Sequence, residues 1–307
     1  MTQLIREELR RAGADRETVV TIGTFDGVHR GHQYLLARVR EEAARRGLAS
    51  AVVTFHPVPR AIIRPEVPVS YITSLDERID LLRRQGVDFV VPVTFTSDVA
   101  TLSARQFVTL LREELRMRAL VVGPDFALGR GREGTPEVLA GLGRELGFEV
   151  VVLPPLTPER ERYSSTTVRK ALAEGDMETV QEVLGRPFTL EGPVVRGQER
   201  GRLLGFPTAN VAVGADRALP AFGVYVTRAW VDGTAYPAVT NIGRRPTFDN
   251  GAVTVETHIL DFEGDLYGRE ICIELLSRLR GEQRFSGPEE LRAQIQRDIE
   301  AARRTLA

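Results

Sequence analysis

Thr18-Val19-Val20-Thr21-Ile22-Gly23-Thr24-Phe25-Asp26-Gly27-Val28-His29-Arg30-Gly31-His32 is the stretch on which the fold turns. Its first five residues are β-branched and read as a strand. Gly23 and Gly27 end that run and let backbone approach a ligand closely. Beyond it, Leu35, Leu36, Val39 and Ala43 recur on one helical face, with Arg and Glu on the other. The order is strand, glycine-rich turn, helix start. Unpaired N–H groups at a helix N-terminus favour an anion. His29 and His32 lie on that first turn, and Gly31 is expected to keep the space between the two imidazoles open. The stretch reads as a phosphate site with two imidazole donors; a tight turn with two solvated histidines is the plainer alternative.

Outward from this turn, strand-like runs recur at 51–55, 89–95, 120–123 and 148–153, with helical patterns between them. Ser74-Leu75-Asp76-Glu77 and Ser103-Ala104-Arg105-Gln106 have the form of capping boxes. Strand–helix alternation predicts a parallel sheet covered on both faces, a Rossmann-like α/β domain. Ligands of such sheets bind beyond the carboxyl ends of the strands. After about residue 186 the pattern changes. Short strands separated by Gly and Pro fall at 192–195, 209–213, 223–230, 235–241, 254–260 and 270–276. These predict an antiparallel β-barrel or sandwich. Ser286-Gly287-Pro288-Glu289 then caps a terminal helix with Leu291, Ile295 and Ile299 on one face. Two domains follow, 1–186 and 187–307.

Composition narrows the chemistry. A length of 307 residues suits two domains. A net charge of −1 argues against a nucleic-acid partner held by bulk charge. The first residues form no apolar signal and no stretch is long enough to span a bilayer, so a membrane role is not expected. One cysteine excludes an internal disulfide framework and fits a cytoplasmic protein. Cys272 sits in a strand-like run and is expected to be a buried structural thiol. Lys170 is the only lysine, so no G-x-x-x-x-G-K-[ST] loop exists and any kinase must cradle phosphate otherwise. Four histidines and one cysteine leave little for a zinc cluster.

Further candidates follow along the chain. His56, before Pro57, is equally a ligand contact or a loop histidine. Asp125, after the strand-like run at 120–123, is placed to accept from ribose hydroxyls or to close an Asx turn. Ser164-Ser165-Thr166-Thr167-Val168-Arg169 opens a helix. Its hydroxyls cap orphan N–H groups, and Arg169, one turn beyond Ser165, can aim donors at a phosphate. In the second half, Gly197 and Gly201 suit close approach of backbone to phosphate. Thr208 and Asn210 point to one side of an extended stretch, as a hydroxyl and an amide oxygen suited to hydrated Mg²⁺ and its nucleotide phosphates. Turn residues before a strand are the alternative. In 253–260 the β period puts Val253, Val255, Thr257 and Ile259 on one face, and Glu256 and His258 on the other. A mid-strand acid without a neighbouring cation is more than surface decoration requires, and a solvated strand Glu is the plainer alternative; His258 is assigned to structure.

The string G-T-F-D-G-V-H-R-G-H resembles the signature of H-x-G-H nucleotidyltransferases, and more narrowly the FMN adenylyltransferase module of bacterial bifunctional riboflavin kinase/FAD synthetases. Residues 121–129 are similar to that family's Gly-x-Asp-Phe-x-Phe-Gly pattern, with Leu128 in place of an aromatic. Residues 164–169 resemble its S-S-T-x-x-R motif. Riboflavin kinase is resembled by 192–210, by Asn241-Ile242-Gly243-Arg244-Arg245-Pro246-Thr247-Phe248, by 255–268 and by 280–285. The resemblance covers 18–300. It implies riboflavin phosphorylation to FMN in the second domain and adenylylation of FMN to FAD in the first, both with ATP and Mg²⁺. It implies catalytic roles for His29, His32, Ser165, Arg169 and Glu256. It places ATP phosphates against Gly23, Phe25, Asp26, Gly31, Ser164, Thr166, Gly201, Arg202, Thr208 and Asn210, flavin against Asp125, Phe126 and Arg284, and metal on Thr208 and Asn210. Two rivals stay open. One is an adenylyltransferase for pantetheine phosphate or a mononucleotide with a passive barrel; the other is a non-catalytic flavin-binding regulator. The sequence leaves the oligomeric state open.

Overall fold

The computed structural model describes residues 2–154, 163–197, 201, 204–244 and 253–306. The chain divides into two compact units, Met1–Ser164 and Ser165–Ala307.

The first unit is built on five parallel strands: β1 (Thr18–Gly23), β2 (Ala49–His56), β3 (Phe89–Thr94), β4 (Met117–Val122) and β5 (Glu149–Val152). Their order in the sheet is β3-β2-β1-β4-β5. The central strands β1, β2 and β4 are almost wholly buried, which is why they read as unbroken apolar runs. Helices cover the sheet: α1 (Gln3–Arg11), α2 (Arg30–Arg46), α3 (Pro59–Ile63), α4 (Leu75–Arg84), α5 (Ser97–Ala100), α6 (Ala104–Glu114) and α7 (Pro136–Leu146). Local chemistry sets their ends. Ser74 Oγ accepts from the Glu77 N–H at 3.1 Å, and Ser103 with Gln106 closes a full capping box. Strand order reverses between β1 and β4, so the crevice of this sheet opens beyond the carboxyl ends of those two strands. The turn 24–29 and the loop 123–129 are the segments that leave there.

In the second unit, β6 (Phe188–Val195), β7 (Ala209–Val211), β8 (Gly223–Val231), β9 (Thr234–Arg244), β10 (Val253–Ile259) and β11 (Glu270–Arg280) form a closed antiparallel barrel. Alternation assigns its faces. Tyr225, Thr227, Thr240, Thr257, Ile273 and Leu275 are fully buried. The outward Val224, Val226 and Val239 pack beneath α10 (Pro288–Leu306), with Ile299 and Ala302 on the buried side of that helix. Three inward hydroxyls bond across adjacent strands, Thr227 to Thr240 at 2.8 Å and Thr240 to Thr257 at 2.9 Å. That chain satisfies polar groups which burial would otherwise penalise.

Two expectations change. The helices α8 (Ser165–Glu174) and α9 (Met177–Leu184) belong to the unit that holds the barrel, so the compact units meet near 164/165, while the change of pattern in the sequence lies near 186. The Ala221 N–H donates to the Leu172 carbonyl at 2.8 Å, which ties α8 to the segment before β8. Cys272 is half-exposed rather than buried, because the β period turns Ile271, Ile273 and Leu275 inward and Cys272 with Glu274 outward.

Candidate active sites

In the first unit, the turn after β1 is compressed and backbone-strained. Phe25 (φ 48°), Gly27 (φ 83°) and Val28 (φ 40°) all lie in the left-handed region. Side chains other than glycine resist that region, and such strain persists only where the surroundings over-determine it. Phe25 and Val28 are buried. The fully buried Asp26 carboxylate accepts from the Ile72 N–H at 3.0 Å, the Thr73 N–H at 3.1 Å and the Thr73 hydroxyl at 3.2 Å. Asp26 was expected against phosphate; its oxygens anchor the turn instead, and a carboxylate would repel the anion.

His29 caps α2. Its Nδ1 accepts from the His32 N–H at 3.4 Å. An accepting Nδ1 carries no proton, so the neutral ring holds its proton on Nε2 and is a donor there. The two imidazoles stack at 3.6 Å between centroids, 24° apart in plane. The expected gap between them is therefore absent. Gly31 serves another purpose: a Cβ at this residue would lie 2.8 Å from the Tyr163 carbonyl oxygen and 3.1 Å from the His29 ring. Burial, then the His29 ring and the Arg78 cation, hold His32 well below the ordinary imidazole value of 6.5. His32 is thus neutral at pH 7, which spares the stacked pair a like-charge penalty. Its Nδ1 is buried with no hydrogen-bond partner among the described residues.

Arg78, on α4, escaped the sequence reading. It is fully buried and donates to the Thr24 carbonyl at 3.0 Å and the Phe55 carbonyl at 2.9 Å. Nothing in an amphipathic helix pattern marks one arginine as buried. Gly23 lies against the Phe25 ring. His56 has its ring 5.4 Å from that of Tyr71. Beyond β4, Asp125 is exposed, and its carbonyl accepts from Arg132 at 3.2 Å. Phe126 is half-buried and packs on the apolar core of its unit. Tyr163 lies under the Arg30 guanidinium, 5.9 Å from its ring centroid. Ser164 follows it directly, and Ser165, Thr166 and Arg169 stand on the first turns of α8.

In the second unit, a cavity of about 370 Å³ lies on the outer face of the barrel. Gly201, Thr208, Asn210 and Glu256 all line it. Register explains the grouping: Glu256 on β10 faces Asn210 on β7 and Asn241 on β9. These three form one rung across adjacent strands. Sequence reasoning quoted Asn241 within a motif but gave it no role; only strand pairing puts it beside Glu256. Asn210 Oδ1 is buried without a hydrogen-bond partner among the described residues. A buried oxygen in that state fits a cation ligand. A Cβ on Gly197 would collide with the Asn210 amide, and one on Gly201 with the Phe206 carbonyl, so only glycine permits this close packing. His258 also reaches the cavity, its Nδ1 2.7 Å from the Pro207 carbonyl, in keeping with a structural role.

Phe206, Val224, Val239, Phe285, Leu291 and Ile295 add an apolar part to the lining. It is fixed by a buried ion pair. Arg280 donates to Asp298 at 2.8 and 3.1 Å, and Gln294 donates to the same carboxylate at 2.8 Å. Arg284, for which the resemblance implies flavin contact and a surface salt bridge is the alternative, is exposed and not among the lining residues, whereas Arg280 and Phe285 are. Arg202 lies outside the described residues. No group of three His, Cys, Asp or Glu able to hold a metal occurs among the described residues. No helix among them is long and apolar enough to cross a membrane.

Comparison with known proteins gives each part of the chain a family. Residues 12–167 match the FAD synthetase family and residues 184–306 match riboflavin kinase. The bifunctional riboflavin kinase/FMN adenylyltransferase of Pseudomonas fluorescens is 41% identical over 99% of this chain and 98% of its own length. That of Escherichia coli K12 is 42% identical over 93% and 91%. A solved structure described as a macrolide-efflux protein from Streptococcus pneumoniae superposes with a TM-score of 0.86 at 32% identity, covering 94% of each chain. The chain belongs to the bifunctional riboflavin kinase/FMN adenylyltransferase family, whose members phosphorylate riboflavin to FMN and adenylylate FMN to FAD.

Proposed function

We propose that the barrel cavity is the riboflavin kinase site and that the H-x-G-H turn is the FMN adenylyltransferase site. One observation carries the first assignment: Gly201, Thr208, Asn210 and Glu256 converge on a single cavity whose lining is otherwise rich in apolar residues. Glu256 accepts the proton of the riboflavin 5′-hydroxyl as its oxygen attacks the γ-phosphorus of ATP. Asn210 and Asn241 flank the carboxylate with neutral amides. Thr208 Oγ1 and Asn210 Oδ1 would hold a hydrated magnesium ion with the nucleotide phosphates. When bound, that ion neutralises phosphate charge. Phe206, Phe285 and Leu291 exclude water from the flavin ring.

At the other site, adenylyl transfer needs positioning and charge neutralisation more than covalent chemistry. The FMN phosphate attacks the α-phosphorus of ATP and pyrophosphate leaves. His29 donates from Nε2 to the phosphates, and neutral His32 buttresses it through their stack. Gly23, Phe25 and Gly31 shape this turn. Ser164, Ser165, Thr166 and Arg169 are assigned to ATP phosphates, and Asp125 to the substrate rim, on the strength of their motifs. A cytoplasmic location accompanies this reading, in keeping with a single cysteine and no disulfide.

The test is chromatography of FMN and FAD formed from riboflavin or FMN with MgATP. Glu256→Gln should abolish FMN formation and leave adenylylation of supplied FMN intact. His32→Ala should do the reverse, losing about 100-fold or more of FAD formation. Parallel loss of both activities in either variant would contradict the division of labour.

A further inference from the structure

We infer that the segment 72–78 is a brace that sets the geometry of the H-x-G-H turn, with Arg78 as a positioning residue for adenylyl transfer. The inference rests on the adenylyltransferase reading of that turn. Hydrogen bonds from the brace reach three residues of the turn, Thr24, Asp26 and Gly27. Asp26 accepts from the N–H groups of Ile72 and Thr73. Thr73 Oγ1 accepts from the Gly27 N–H at 3.1 Å. Arg78 donates to the Thr24 carbonyl, and the same nitrogen donates to the Phe55 carbonyl.

Consider what these contacts hold. Thr24 directly follows β1 and Phe55 lies near the end of β2, so Arg78 pins two adjacent strand ends at the edge where ligand binds. Between Thr24 and His29 the backbone has three residues with positive φ. Such a turn relaxes unless it is tied on both sides. The ties are buried: Asp26, Thr73 and Arg78 are 2%, 1% and 0% exposed. In that low-dielectric setting a hydrogen bond to a charged group is strong, and its loss is costly. Side-chain packing completes the link from turn to imidazole. Phe25, held in the middle of the tied segment, packs its ring 5.0 Å from that of His32. A shift of the turn therefore moves His32, and with it the stacked His29. Burying a guanidinium next to a phosphate-binding turn also places fixed positive charge behind the anion without solvent screening. Arg78 does not need to touch substrate to act.

The experiment measures steady-state FAD formation from FMN and MgATP by the full-length protein, with riboflavin phosphorylation as an internal check on folding. Arg78→Lys keeps the charge but shortens the reach to two carbonyls. Thr73→Val keeps the shape but deletes the acceptor for Gly27. Both should lower kcat for FAD formation, Arg78→Lys by about tenfold or more, with KM for ATP moving by less than about threefold. Riboflavin phosphorylation should stay at the wild-type rate. A role confined to stability would lower the melting temperature and leave kcat at low temperature unchanged. If Arg78→Lys loses its unfolding transition, Thr73→Val decides alone. FAD-forming kcat within about twofold of wild type in the folded variants, while His32→Ala is inactive, would overturn the brace and leave the site assignment standing. Normal FAD formation by His32→Ala would instead remove the reading on which the brace depends.

Discussion

Gly31→Ala adds one methyl group at the most crowded point of the adenylyltransferase turn. The new Cβ would sit 2.8 Å from the Tyr163 carbonyl oxygen and 3.1 Å from Cε1 and Nδ1 of His29. The 2.8 Å contact is with backbone, so only a shift of the turn or of the Tyr163 peptide relieves it, and at 3.1 Å the imidazole of His29 must also give by a few tenths of an ångström. Its stack on His32 and its bond from the His32 N–H then change together. Overpacking of this kind costs about 1–3 kcal/mol. If that cost falls on the reactive geometry, FAD formation drops by about 5- to 150-fold. The assay is FAD formed from FMN and MgATP, with the kinase rate as control. Gly141→Ala is the companion substitution: it lies within α7, and its nearest neighbour, the Arg144 tip, is 3.9 Å away. It should be neutral or stabilise by up to about 1 kcal/mol through helix propensity. Wild-type FAD formation in Gly31→Ala would refute the claim that steric room at Gly31 sets the imidazole geometry.

Further expectations concern the kinase wall, pH and the limits of the second unit. Arg280 and Asp298 are 16% and 7% exposed, so Asp298→Ala should destabilise the second unit by about 3–5 kcal/mol and raise KM for riboflavin. The double variant Arg280→Met/Asp298→Leu should recover much of that stability in urea melts; no recovery would mean the pair is more than a local tie. His32 is held neutral, so the unfolded chain binds more protons than the native one between pH 6.5 and the depressed native value. Stability of the first unit should therefore fall as pH drops below about 6.5, and His32→Gln should flatten that slope in thermal melts recorded across pH 5–8. A fragment of residues 165–307 should unfold more cooperatively and at higher temperature than one of 187–307. The shorter piece lacks α8 and α9, whose Val168, Leu172, Val180 and Val183 are fully buried. Equal melting of the two would show that these helices contribute nothing to the barrel's stability.

Much of this protein is written in local periods. The run 18–22 became β1 because β-branched residues fit a buried pleat, the run 89–95 became the edge strand β3 with Val91 and Val93 buried, and the alternation at 253–260 put Glu256 and His258 on the outer face of β10. The caps at Ser74 and Ser103 were legible because their partners lie three residues away. Partners distant in sequence left no such trace. Asp26 meets Ile72 and Thr73 only through the packing of α4 beside the sheet, so a residue assigned to phosphate proved to be an anchor. Arg78 looks like any solvated helix arginine until the ends of β1 and β2 close over it. Asn241 joins Glu256 through antiparallel register, and Arg280 lines the cavity while α10 presents Asp298 to it. The sequence by itself determined the two architectures and the residue types offered for both candidate sites, since these follow from side-chain period and glycine placement. Only the tertiary structure decided which polar groups hold the sites in shape, because burial and long-range hydrogen bonding are properties of the assembled core.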